Sequence, residues 1–154
     1  MRIDGTYLMT GARAVVYATL SDPAALASCL PGCERFEQTA PGRYETVLTF
    51  GLAGVKGTFA GSVTLADPRP PEAYRLIVEG RFAGGAIKGV ADITLVEEGA
   101  QTRVQYVGDG QVGGPLASVG QRLMAPAARV LINQFFKCLS GKVPAALPDS
   151  APTS

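Results

Sequence analysis

RVQYVGDGQVGGPLASVGQRLMAPAARVLINQFFKC, residues 103–138, changes its repeat partway along. Up to Val112 the side chains alternate. Val104, Tyr106, Gly108, Gly110 and Val112 take one face of a strand, and Arg103, Gln105, Asp109 and Gln111 take the other. After Gly113-Gly114-Pro115 apolar residues return every three to four positions. Leu116, Val119, Leu123, Ala127, Val130, Leu131, Phe135 and Cys138 then form one stripe of a long helix that ends near Gly141. The chain thus passes from a strand with one apolar face to a helix able to cover that face.

Working outward, the period of two runs back through six segments, roughly 33–40, 43–51, 57–67, 72–82, 87–97 and 101–112. The clearest sets Tyr74, Leu76, Val78, Gly80 and Phe82 against Arg75, Glu79 and Arg81. One apolar and one wet face, joined by short connections, predict an antiparallel sheet covered on one side. Ile3 to Met9 read as a first strand and Ala12 to Leu20 as a helix. Ser21-Asp22-Pro23 then reads as a capped helix start, opening a second helix from Pro23 to Cys29. The predicted fold is α+β: a seven-stranded curved antiparallel sheet around a long C-terminal helix, with two short helices after the first strand. Residues 1–143 form one domain. Residues 144–154, rich in Pro, Ala and Ser, read as a disordered tail.

Bulk properties narrow the function. The 154 residues are 47% hydrophobic and 18% charged, which fits a globular domain. A net charge of +1, with no aromatics interleaved among basic clusters, gives no footprint for nucleic acid. The first residues lack the apolar core of a secretory signal, and no run approaches the ~20 apolar residues of a spanning helix. Cys29, Cys33 and Cys138 make an odd count, which predicts reduced thiols in the cytoplasm. The chain has no histidine, so the usual neutral-pH base and the commonest metal ligand are missing. The Cys29–Cys33 spacing fits neither a zinc nor a redox motif. Lys56-Gly57 lacks the hydroxyl residue of a phosphate loop.

Strand parity sorts the turns into two ends. Ala40-Pro41-Gly42, 67–72 and Glu97-Glu98-Gly99 are polar and solvated. The segments 52–57, 83–89 and 112–114 are apolar and Gly-rich, with Lys56 and Lys88 at two tips. The apolar end reads as the rim of a groove, or as loops folded over the core. Gly80, Gly108 and Gly110 fall on the apolar face. They either leave volume for a ligand or mark bends in the sheet. Pro126 predicts a kink that holds the helix off the sheet. The predicted lining is Leu52, Val55, Phe82, Ile87, Tyr106, Leu116, Leu123 and Ala127, with Gln134 as an inward amide. That amide anchors a ligand head group or bonds to backbone. Tyr44, Tyr74 and Tyr106 pack the core or offer polar tips to a ligand oxygen. Ile132 and Phe136 fall on the outer side near Arg129. With Lys56 and Lys88 they form a docking surface, unless the kink rotates and buries them.

Several short motifs carry a resemblance. Pro31-Gly32-Cys33-Glu34, 55–61, 88–95, 111–117 and Gln134-Phe135-Phe136 occur in the order and spacing of the carbon monoxide dehydrogenase G-subunit family, which this chain resembles over residues 1 to about 143. The resemblance implies the START-related helix-grip fold. It implies a non-catalytic accessory role beside molybdenum hydroxylase subunits, in the cytoplasm with peripheral contact at the inner face of the cell membrane. It also implies an apolar small-molecule ligand such as a quinone or lipid, no covalently bound cofactor, no metal and no catalytic residues. Two other readings stay open on the same fold: a small enzyme of the cyclase or aromatase kind, and an adaptor without a ligand.

Overall fold

The computed structural model describes residues 2–30, 32–52, 55–82, 85–114 and 121–143. Its elements follow the order β1 (Arg2–Thr10), α1 (Arg13–Leu20), α2 (Pro23–Cys29), β2 (Cys33–Ala40), β3 (Arg43–Leu52), β4 (Val55–Arg69), β5 (Ala73–Phe82), β6 (Gly85–Glu98), β7 (Gln101–Gly113) and α3 (Gln121–Lys142). The strands form one seven-stranded sheet in the order β1-β7-β6-β5-β4-β3-β2, with every neighbouring pair antiparallel. Only the β1–β7 contact is non-sequential, because α1 and α2 intervene after β1. The predicted tail, 144–154, lies outside the described residues. No described helix is long and apolar enough to cross a membrane.

Local chemistry accounts for the short helices. The Asp22 carboxylate accepts a hydrogen bond from the Ala24 N–H at 3.1 Å, and Pro23 starts α2 where its missing donor costs nothing. Pairing in two hairpins runs out to Leu52 opposite Val55 and to Phe82 opposite Gly85. The segments 52–57 and 83–89, expected as Gly-rich loops, are therefore largely strand. Alternation fades there because glycines replace side chains, while the backbone ladder continues.

One face of the sheet is covered at one end by α1, α2 and the C-terminal half of α3. Met9, Val16, Leu20, Leu95, Val104 and Leu139 are completely or almost completely buried there. Phe136 lies between Tyr7 and Tyr106, with ring centroids 5.5 and 5.6 Å away.

The structure corrects three expectations. Phe136 is buried at 5% exposure and Ile132 is partly buried against the core, so neither stands outward. Gln134 is exposed rather than inward, and Val130, assigned to the inner stripe, is 55% exposed. The core side of α3 takes in Ile132, Phe136 and Leu139, with Val143 just past its end, beside Phe135 and Cys138 of the predicted stripe. A helical wheel phased on Leu116 and Leu123, which precede Pro126, does not carry its phase past the proline. Finally, Cys29 and Cys138 are joined in a disulfide with Cα atoms 5.5 Å apart, leaving Cys33 as the free thiol in place of three reduced ones. A separation of 109 residues gives no sequence sign that α3 returns to the last residue of α2.

Candidate functional site

Strand register turns the covered face into rows that cross the sheet. Tyr74, Ile93, Tyr106 and Gly5 form one row; Leu65, Leu76, Ala91, Gly108 and Ile3 form the next. Then come Val63, Val78, Gly89 and Gly110, and after them Gly61, Gly80, Ile87 and Val112. Burial changes along this series. Tyr74, Ile93 and Tyr106 are buried, whereas all members of the last three rows are only partly buried. The apolar face is thus filled under the three helices and half-open toward the Gly-rich hairpin tips.

The glycines on this face are not equivalent. A Cβ at Gly80 would collide with the Phe59 ring, so the protein's own side chain fills that notch. A Cβ at Gly89 would meet only the Asp109 carbonyl oxygen at 3.6 Å and the Gly110 Cα at 3.8 Å among the described residues. Those are ordinary contacts, so the room lies over β6 and β7 and not over β4 and β5. An apolar trough floored by Ile87 and Val112, with small residues at 89, 91 and 108 and Val78 and Val63 flanking it on β5 and β4, is the candidate site.

The rows of the trough carry only aliphatic side chains and glycines, and the hydroxyls of Tyr17, Tyr74, Thr46 and Thr102, buried elsewhere under the helices and strands, are committed. The Tyr17 hydroxyl donates to the Ala73 carbonyl at 3.3 Å, and the Tyr74 hydroxyl to the Leu20 carbonyl at 3.5 Å. The Thr46 and Thr102 hydroxyls donate to the Arg35 and Gly11 carbonyls, each at 2.9 Å. Burial holds the Tyr74 phenol well above its usual range, with the neighbouring Tyr17 adding to the shift. Burial also raises Tyr106, against the opposing positive charge of Arg129. Among the described residues, the rows of the trough carry no carboxylate, and no cluster of His, Cys, Asp or Glu could hold a metal ion.

The predicted site residues divide accordingly. Ile87 lies on the trough floor and Tyr106 in the buried row that closes its inner end. Tyr44, Tyr74 and Tyr106 all serve as core, at 5, 8 and 8% exposure. Lys88 points to the outer face of the sheet and pairs with Glu79 at 3.8 Å, away from the trough. Leu116, and the side chains of Leu52, Val55, Lys56, Phe82, Leu123 and Ala127, lie outside the described residues. Sequence reasoning passed over Val63, Leu76, Val78, Ala91 and Val112 as lining. The alternation that placed Leu76 and Val78 beside Tyr74 was signal enough to include them.

Known proteins share this architecture. Residues 5–144 match the family described as the carbon monoxide dehydrogenase G subunit (CoxG). A conserved protein from Geobacillus kaustophilus is 30% identical, with a TM-score of 0.89 over 93% of this chain and 95% of its own. A START superfamily protein from Mycobacterium smegmatis is 17% identical, with a TM-score of 0.70 over 92% and 96%. The Zhui aromatase/cyclase from Streptomyces is 13% identical, with a TM-score of 0.63 over 93% of both chains. The last two show the fold alone: a START-like helix-grip. No curated protein matches the sequence.

Proposed function

The chain belongs to the CoxG family, and from that membership we propose that it is a non-catalytic accessory protein of a molybdenum hydroxylase of the carbon monoxide dehydrogenase type. It takes an apolar ligand, a quinone or a lipid, onto the half-open trough beyond Tyr106, and it helps recruit the enzyme to the membrane. The observation that carries the ligand reading is the change in burial along the apolar face, with room for a side chain's first carbon at Gly89 among the described residues. Each 100 Å² of apolar ligand surface laid on that floor contributes roughly 2.5 kcal/mol. The described rows that floor the trough are aliphatic or glycine, with no acid/base pair among them. This supports holding a ligand over transforming one.

One observation favours the adaptor reading instead: the Phe59 ring already occupies the space over Gly80. Native mass spectrometry of gently purified protein, followed by titration with a short-chain quinone, separates the two. The carrier reading expects a co-purified apolar molecule or saturable quinone binding. A ligand-free protein that ignores added quinone while still binding a hydroxylase subunit leaves the adaptor.

A further inference from the structure

The buried tyrosines of the sheet differ in what their hydroxyls do. Tyr74 donates to the Leu20 carbonyl, whereas no hydrogen bond among the described residues uses the hydroxyl of Tyr44 or of Tyr106. Tyr44 stacks on Phe36 of β2 and is separated from β6 by β4 and β5. Tyr106 stands on β7, and its ring reaches across to β1: a Cβ at Gly5 would collide with the Tyr106 hydroxyl. That hydroxyl is not sealed. Among the described residues only Arg13 Nε is shut off from solvent without a partner, so the hydroxyl of Tyr106, a residue 8% exposed, opens onto free space. Tyr106 also marks the step in burial. Gly108 and Gly110 follow it on the same face of β7 and belong to the half-open rows. Helix α3 repeats the step. Val143 lies beside Gly11, and Phe136 between Tyr7 and Tyr106, so the helix runs back along β1 towards Ile3. Phe136, Ile132 and Arg129 fall within about 60° of one another around it, and pass in that order from buried through half-buried to exposed.

We infer that the Tyr106 hydroxyl is the polar anchor of the apolar site, donating a hydrogen bond to a carbonyl oxygen of the bound molecule. The inference rests on the trough being a ligand site, as proposed above, and names the chemistry that the site selects: an apolar body with a ketone or quinone oxygen at one end, in preference to a bare hydrocarbon. Rows of aliphatic side chains and glycines cannot tell the two apart, but a free donor at their inner end can. Burying a hydroxyl strips it of water, and such groups are normally satisfied by a protein partner. Tyr17 and Tyr74 have one; Tyr106 does not. Burial keeps its phenol protonated at neutral pH, so it is available as a donor. Of the two charges that act on it, that of Arg129 outweighs that of Asp4, which favours an electron-rich oxygen beside it.

Titration of the full chain with a matched pair of probes tests this: a short-chain alkyl benzoquinone, and the corresponding alkylbenzene without its oxygens. Tyr106→Phe keeps the ring and removes only the hydroxyl. It should weaken quinone binding about five- to tenfold and leave alkylbenzene binding unchanged. Tyr44→Phe, which removes the other unpartnered hydroxyl, should bind both probes as wild type does. Because the Tyr106 hydroxyl holds no protein group, the thermal midpoint of Tyr106→Phe should equal or exceed that of the wild type. A lower midpoint would assign the hydroxyl a structural role and overturn the inference. So would wild-type quinone affinity in Tyr106→Phe, an equal loss for both probes, or an equal loss in the two variants. In each of those cases the wild type still binds a probe, so the carrier reading survives while the anchor does not. A wild type that takes up the alkylbenzene alone has the same meaning. A wild type that binds neither probe removes the carrier reading itself, and the anchor with it.

Discussion

Gly32 has φ +68°, and a Cβ there would collide with the Thr49 carbonyl oxygen, whose own N–H donates to the Gly32 carbonyl at 2.9 Å. The residue therefore needs both a left-handed backbone and no side chain, which explains why glycine stands in the Pro31-Gly32-Cys33-Glu34 motif. Gly32→Ala should lower stability by about 2 kcal/mol or more, read as a drop in thermal or denaturant midpoint. An unchanged midpoint would mean that the α2–β2 turn is not held as described. Gly80 teaches the opposite lesson. Its place on the apolar face was legible from alternation, but not whether it leaves room. That depends on the rotamer of Phe59 on the neighbouring strand, which no repeat encodes. At Gly89 no ring intrudes among the described residues, and space remains.

At the scale of the element, the strands were the legible part because alternation is local and each register is set by short hairpins. Helix α3 was legible as a helix and misread in phase. Residues 131, 132, 135, 136, 138 and 139 are almost all apolar, so two adjacent stripes compete, and tertiary packing chooses between them. The choice is testable by truncation. Phe136→Ala should cost roughly 3–5 kcal/mol in chemical denaturation, because it empties the space between Tyr7 and Tyr106. Val130→Ala, on the exposed side, should change stability by no more than about 0.5 kcal/mol. The reverse order would restore the first phase. The disulfide ties this half of α3 covalently to the end of α2 through Cys138. Thiol titration of the denatured, unreduced protein should find one reactive cysteine out of three, and Cys138→Ser should lower stability by about 2–5 kcal/mol. Finding three thiols, and no loss in the variant, would return the chain to its expected reduced state.

For the molecule as a whole, the order of elements and the change of period near residue 113 were enough to predict a sheet curling round one helix. The helix-grip fold follows from that order. The candidate site was only half legible. Its lining residues obey strand parity, but its location depends on where the helices stop covering the sheet, a long-range property. The central claim is that an apolar ligand lies over β6 and β7 beside Gly89. The most direct test is a quinone titration of three chains: wild type, Gly89→Leu, and Val90→Leu, which adds bulk on the outer face one residue away. The account predicts saturable binding by the wild type and Val90→Leu alike, and binding at least about tenfold weaker for Gly89→Leu with its fold intact. Equal affinity in all three, or no binding by any, would contradict it.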